Sequence, residues 1–288
     1  MSLYRVRGTF WIIRRFFFLV IAFTLGTIIF AIYNLLAFKQ YIGTSFKDYS
    51  KYDTEKAVKV LFIGNSHTYV FDLDKLLMEI SLSQKEQYYH IYSDRVASGG
   101  MTIKSHWEDG EALEAIKSKK WDYVVLQGQS SMPLVPHAKA DFFEYSNKFS
   151  KEIKKIGAKT IFYGTWPYKD NKLKNIYVTF LTSFNPKTHT IAINKTYTKA
   201  AIENNASIVL TAPIRSSAPK NIDLYDDSNH NSIAGTYLNA LAFYKHIFSA
   251  KTFDKETFIP YGVTQEEGRK LIKHIENFGN NNINAIKK

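Results

Sequence analysis

The chain predicts an α/β fold: a mainly parallel, five-stranded sheet covered by helices on both sides, preceded by one N-terminal transmembrane helix. Three observations carry this expectation. From Val58 onward, short runs of β-branched and aromatic residues alternate with longer amphipathic stretches, the β-then-α rhythm of a parallel sheet. The first of those runs is almost continuously apolar, as strands buried on both faces are. Ahead of them, residues 16–38 are 23 positions without a charge.

That apolar run comes first in the chain. At about 1.5 Å per residue it would extend roughly 34 Å, enough to cross a bilayer core. Arg5, Arg7, Arg14 and Arg15 precede it and Lys39 follows it, which favours an N-terminus on the cytoplasmic side. A cleaved signal peptide is the rival reading. The run is longer than a signal core, and it ends in Asn34-Leu35-Leu36-Ala37-Phe38-Lys39-Gln40 without an Ala-x-Ala-like site. The expected organisation is therefore a short cytoplasmic start (1–15), a signal-anchor helix (16–38), a polar tether (39–57) and one outward-facing α/β domain (58–288).

Within that domain the strand candidates are 58–63, 88–92, 123–126, 160–163 and 207–211. Helices are expected at about 72–82, 108–119, 138–156, 188–204, 232–248 and 264–277. Leu73, Leu76, Leu77 and Ile80 share one helical face, as do Phe142, Tyr145, Phe149, Ile153 and Ile156. No repeat or composition break divides the region.

Composition narrows the chemistry. The 288 residues carry no cysteine, which excludes a disulfide scaffold, a thiol nucleophile and cysteine-ligated metal. The net charge of +12 suits an anionic membrane or polymer surface. No basic helix with interleaved aromatics accompanies it, so nucleic acid is not an expected partner. The chain also lacks Gly-x-Gly-x-x-Gly, a phosphate loop and His-Glu-x-x-His. No cofactor or metal is expected.

The unusual residues follow the strands. Gly64-Asn65-Ser66-His67-Thr68 follows the first, Gly99-Gly100-Met101-Thr102 the second and Gln127-Gly128-Gln129-Ser130-Ser131 the third. Gly164-Thr165-Trp166-Pro167 and Ala212-Pro213-Ile214-Arg215 follow the fourth and fifth. In a parallel sheet these loops converge on one rim, where open α/β folds place their chemistry. A serine needs a base to take its proton, and the base needs an orienting group. Asp227-Ser228-Asn229-His230, ahead of the helix at 232–248, supplies both types at a spacing that lets them meet. Each residue alone has an ordinary reading: Ser66 as a helix cap, His230 as a loop histidine, Asp227 as a turn carboxylate with Asp226 competing beside it.

Taken together, these blocks resemble the SGNH (GDSL-like) hydrolases, a superfamily of esterases and lipases. The resemblance covers about residues 58–250 and implies a three-layer α/β/α sandwich, flavodoxin-like in outline. It implies Ser66 as nucleophile, His230 as general base and Asp227 as its orienter. It further implies an oxyanion hole from the backbone N–H groups of Ser66 and Gly100 and one side-chain amide. The third block departs from the common Gly-x-Asn-Asp and resembles the Gln-Gly-Glu-Ser form of carbohydrate acetylesterases. Gln127 is then the expected amide donor, ahead of Gln129. Asn65, His67, Gln129 and Trp166 are candidates for lining the substrate site. Gly164 to Pro167 and Tyr261-Gly262-Val263-Thr264-Gln265-Glu266 resemble a membrane-anchored bacterial branch. The expected activity is ester hydrolysis, foremost O-deacetylation of an envelope or extracellular polysaccharide. The alternatives are O-acyl transfer to a glycan with a membrane acyltransferase partner, and a non-catalytic glycan-binding or scaffolding domain.

Overall fold

The computed structural model describes residues 48–85, 88–169 and 186–278, together with residues 17, 20 and 24–28. The chain forms two compact units, Met1–Asp48 and Tyr49–Lys288. In the first, residues 17, 20 and 24–28 are helical and exposed. The expected signal-anchor, residues 16–38, lies largely outside the described residues. Among those described, no helix is long and apolar enough to cross a membrane.

The second unit holds a five-stranded parallel sheet in the order β2-β1-β3-β4-β5. The strands are β1 (Ala57–Gly64), β2 (His90–Ala97), β3 (Tyr123–Leu126), β4 (Lys159–Gly164) and β5 (Ser207–Leu210). The connecting helices are α1 (Ser66–Tyr69), α2 (Leu73–Leu82), α3 (Ile103–Asp109), α4 (Glu111–Ser118), α5 (Pro136–Lys155), α6 (Pro186–Glu203), α7 (Thr211–Ser216), α8 (Ile233–Phe248) and α9 (Gln265–Asn277).

Period-two alternation on the strands divides the core into two layers. Val60 and Phe62 of β1, with Ile161 and Tyr163 of β4, point toward α2, α8 and α9. Leu61, Ile63, Val124 and Phe162 point the other way, onto α3 to α6. Because both faces of β1 are covered, six of its eight residues are buried. The expected three-layer α/β/α arrangement is the one observed.

Three elements differ from the sequence expectation. The helix expected over 108–119 is two helices, α3 and α4, because Gly110 adopts φ +89° between them, a left-handed conformation that ends a helix. Strand β2 starts at His90 and runs to Ala97, so Tyr88 and Tyr89 precede it and are exposed. It is an edge strand, which tolerates Asp94 and Arg95. Arg95 also pairs with Asp72 at 2.6 Å and with Asp74 of α2. Finally, Thr211 opens α7 instead of closing β5.

Helix caps locate the loops that matter. Thr102 accepts from Ser105 N at the start of α3, and Ser232 accepts from Gly235 N at the start of α8. Thr264 and Glu267 form a reciprocal capping box on α9. The Ser232 cap starts α8 two residues after His230, so the preceding turn is held at the carboxyl rim of the sheet.

Candidate active site

The first turn after β1 is held from below by atoms that leave no room for variation. A Cβ on Gly64 would collide with Thr68 Oγ1 and Gln127 Oε1. The Gly64 carbonyl accepts a 2.7 Å hydrogen bond from His106 Nε2. His106 is buried, and burial lowers its pKa, so it is a neutral ring protonated on Nε2. Asn65 caps α1: its Oδ1 accepts from His67 N at 3.1 Å, and its Nδ2 donates to Met101 O at 3.0 Å. That second bond brings the Gly99-Gly100 loop beside Ser66.

Gln127 sits beneath this turn. It is 1% exposed, and its Oε1 accepts from Asn65 N at 2.8 Å and Thr68 Oγ1 at 3.0 Å. Its Nε2 donates to Gly128 O. The side chain expected to point an amide at substrate is instead turned inward, holding the serine turn. Gln129 is half-buried; its Oε1 accepts from Ser131 N at 2.9 Å and Ser131 Oγ at 2.7 Å. The backbone N–H groups of Ser66 and Gly100 donate no hydrogen bond among the described residues. Gly100 holds φ +72° with nothing within 4 Å of a built Cβ, so its backbone angle requires glycine, not its surroundings.

Ser66, His230 and Asp227, 164 positions apart at the extremes, are brought together. His230 Nε2 lies 3.0 Å from Ser66 Oγ, and His230 Nδ1 lies 2.8 Å from Asp227 Oδ2. The Asp227 carboxylate accepts a hydrogen bond from Nδ1–H, which leaves the Nε2 lone pair facing the serine hydroxyl. The other carboxylate oxygen accepts from the backbone N–H groups of Asn229 and His230, both at 2.6 Å. Partial burial opposes ionisation of Asp227, but the His230 ring and these two N–H groups outweigh it and hold its pKa at about 2.

Behind His230 lies a stack that the sequence did not reveal. His67 is 3% exposed; its Nε2 donates to Asn229 Oδ1 at 3.1 Å. It packs on Trp166 at 4.4 Å between ring centres, 23° from parallel, and edge-on to His230 at 5.9 Å. Burial, then repulsion from His230 and Arg215, pushes its pKa down to about 3, so it remains neutral and is no rival base. Trp166 Nε1 donates to Asn229 O at 2.9 Å. Trp166 was a candidate platform for substrate, but it is 1% exposed, with the Arg215 guanidinium 4.7 Å from its ring centre. Its surface is occupied by protein. Asn65 and His67, also candidates for substrate contact, are buried and engaged within the turn and the stack.

Arg215 is the residue that sequence reasoning missed. It is buried, and it makes no salt bridge among the described residues. Its charge faces the rings of Trp166 and Tyr225, the latter at 4.4 Å. Nη1 donates to Asn231 Oδ1 at 2.7 Å, and Nη2 donates to Leu224 O at 3.0 Å. Arg215 thus holds both ends of the turn carrying Asp227 and His230. Its place at the end of Ala212-Pro213-Ile214-Arg215 was the only available signal, and no spacing rule connects it to residue 230. Among the described residues, no group of three or more His, Asp or Glu is placed to hold a metal ion.

No family model matches the chain, and no curated protein matches it either. Solved structures do. A DUF4886 family protein from Bacteroides uniformis superposes with a TM-score of 0.63 at 18% identity, covering 77% of this chain and 94% of its own. A protein described as a candidate SGNH hydrolase from Slackia heliotrinireducens superposes with a TM-score of 0.56 at 24% identity, covering 66% and 99%. The second unit shares the parallel α/β/α fold of these structures. A lipase/acylhydrolase from Enterococcus faecalis matches at a TM-score of 0.50 and 16% identity, covering 66% of this chain and 95% of its own. At these identities the likeness concerns the fold of the second unit, so a reading of activity rests on the geometry of the rim.

Proposed function

We propose that the chain is a serine esterase of the SGNH superfamily, and that it removes O-acetyl groups from a carbohydrate polymer. The observation that carries this reading is the continuous hydrogen-bonded line from Ser66 Oγ through His230 to Asp227, at 3.0 and 2.8 Å. The superposition on a candidate SGNH hydrolase and on a lipase/acylhydrolase supports the reaction class.

In this reading His230 Nε2 takes the Ser66 proton as Oγ attacks the ester carbonyl. The resulting imidazolium is stabilised by Asp227, which stays ionised. The backbone N–H groups of Ser66 and Gly100 receive the developing oxyanion. His230 then returns its proton to the leaving alkoxide, and a water activated by the same ring releases the acid from Ser66. Gln127 serves by holding Asn65 and Thr68, hence the angle of the Ser66 turn, rather than as the third donor. Residues 16–38 act as a membrane anchor with the N-terminus inside, which places the domain on the outer side, toward envelope polysaccharide. Acyl transfer to a sugar hydroxyl, with a membrane acyltransferase as donor, uses the same acyl-enzyme and is the second outcome to test.

The deciding experiment incubates purified protein with a chromogenic acetyl ester and then with an acetylated glycan. Turnover is expected in the native chain and lost in Ser66→Ala. Free acetate as the product supports hydrolysis, and acetylated acceptor supports transfer. A folded native chain that neither turns over ester nor labels at Ser66 with a phosphonate probe would overturn the enzymatic reading in favour of a binding domain.

A further inference from the structure

The edge of the sheet opposite the active-site rim has a composition of its own. All five strands are parallel, so their amino ends share one edge, about 26 Å from the rim for an eight-residue strand. Tyr88 and Tyr89 stand there immediately before β2, exposed at 71% and 46%, with their rings edge-on at 4.9 Å. Two exposed tyrosines side by side are uncommon where nothing covers them. Lys56, at the start of β1, extends over the Tyr88 ring at 5.5 Å.

Lysines continue along the same edge. Lys120 precedes β3, Lys154 is next to last in α5, and Lys159 opens β4; all are exposed, and none makes a salt bridge among the described residues. Of the acidic groups nearby, Glu55 beside Lys56 is exposed and makes no ion pair among the described residues, while two others are engaged internally. Asp53 is bound to Lys59 at 2.5 Å and Lys119 at 3.0 Å, and Asp122 Oδ2 accepts from Lys59 N. The rim carries Asp223, Asp226 and Asp227 in one turn, with Lys169 paired to Asp223 at 2.7 Å.

The chain enters this unit at the same edge. Tyr49 is the first residue of the unit, and a 3-10 turn, Ser50–Tyr52, leads to β1. Ten residues, 39–48, separate it from the apolar run, a reach of at most about 35 Å. We infer that the amino edge of the sheet docks on an anionic lipid surface, with Tyr88 and Tyr89 at the headgroup level and Lys56, Lys120, Lys154 and Lys159 facing lipid phosphates. Tyrosine at an interface and lysine over anionic headgroups are the two favourable contacts such a surface offers. The consequence is that the Ser66 rim faces away from the bilayer, toward a polymer and not toward the membrane's own acyl chains. The inference rests on the anchor reading of residues 16–38.

The absence of cysteine permits a clean test in the full chain. Single-cysteine variants Ser118→Cys, at the amino edge, and Lys220→Cys, beyond α7, are labelled with a fluorophore. They are reconstituted in nanodiscs of phosphatidylcholine with about one-third phosphatidylglycerol and a headgroup-attached quencher. Quenching at position 118 is expected to exceed that at 220 roughly threefold. The difference should shrink in pure phosphatidylcholine and in about 0.5 M salt, where screening is short-ranged. It should also shrink in the Lys56, Lys120, Lys154 and Lys159→Gln variant, which keeps Ser66 and its partners. Equal quenching at both sites, or a difference insensitive to lipid charge and salt, would overturn the docking inference alone. A difference that scales with the number of chains per disc would overturn it in favour of self-association. Failure of the native chain to float with lipid vesicles would overturn the anchor reading as well.

Discussion

At the scale of single residues, the site depends on which atom of each group is available. In the proposed triad His230 is poised because Asp227 accepts a hydrogen bond from its Nδ1–H, which leaves the Nε2 lone pair facing Ser66 Oγ. Ser66→Ala should reduce ester turnover by roughly 10⁴-fold or more while leaving the melting temperature unchanged. Asp227→Asn should cost about 10⁴-fold by reversing the tautomer of His230. With a folded-state value near 2 against an ordinary 3.8, Asp227 stays charged through the working range. The acid limb of kcat/KM should therefore show one ionisation above pH 3, not two. The sign for stability follows from the lowered value: the contribution of Asp227 is present above about pH 4 and lost as pH falls toward 2. Chemical denaturation followed across that window in native and Asp227→Asn protein checks it.

The triad candidates were legible because a strand-ending serine and an Asp-x-x-His turn are local patterns with a chemical reason. The inward turn of Gln127 was not legible. Its carboxamide has the same donors and acceptors whichever way it points, and only the packing of Gly64 and Thr68 selects one.

At the scale of elements, the turn carrying His230 is braced from α7 and from the loop after β4. Arg215 holds Leu224 O and Asn231, while Trp166 and His67 hold Asn229. Gly235, in the first turn of α8, leaves the gap into which these groups fit: a Cβ there would lie 2.8 Å from Asn231 Oδ1 and 3.0 Å from Arg215 Nη1. Gly235→Ala should displace the turn, lowering kcat by about 10- to 100-fold with KM little changed. Arg215→Met should do the same and also lower stability by about 2 kcal/mol or more, because Leu224 O loses its donor inside the protein. Arg215→Lys should recover only part of kcat, since one ammonium cannot serve both acceptors in the guanidinium plane. Activity assays and urea melts on the three variants separate these effects, and unchanged kcat in Arg215→Met would remove the bracing role. The boundaries of these elements were read from the sequence with uneven success. Amphipathic helices with capping residues emerged cleanly. The split at Gly110 and the late start of β2 did not, because a glycine inside a helical pattern and an edge strand with charges both weaken the periodic signal.

At the scale of the molecule, the sheet separates two surfaces of different character, an acidic turn at the carboxyl rim and a lysine- and tyrosine-bearing amino edge. Between them Phe62 is fully buried, in edge-to-face contact with Phe243 of α8 at 5.2 Å. Phe62→Ala should destabilise the domain by about 3–5 kcal/mol. In a domain of this size that corresponds to a melting-point drop of roughly 6–20 °C, which calorimetry can read.

The sequence by itself determined the layer architecture, since continuous apolar strands alternating with amphipathic helices can bury their surfaces in few other ways. It also determined the three side chains that could form a proton-transfer line, because those residue types sit beside strand and helix ends. Only the tertiary structure decided that Ser66 and His230 meet across 164 positions at 3.0 Å, that Gln127 turns inward, and that Trp166 and Arg215 are buried against the turn carrying His230. The physical reason is that these outcomes depend on competition among neighbours for space and hydrogen bonds. Local spacing carries no record of neighbours that arrive from other strands.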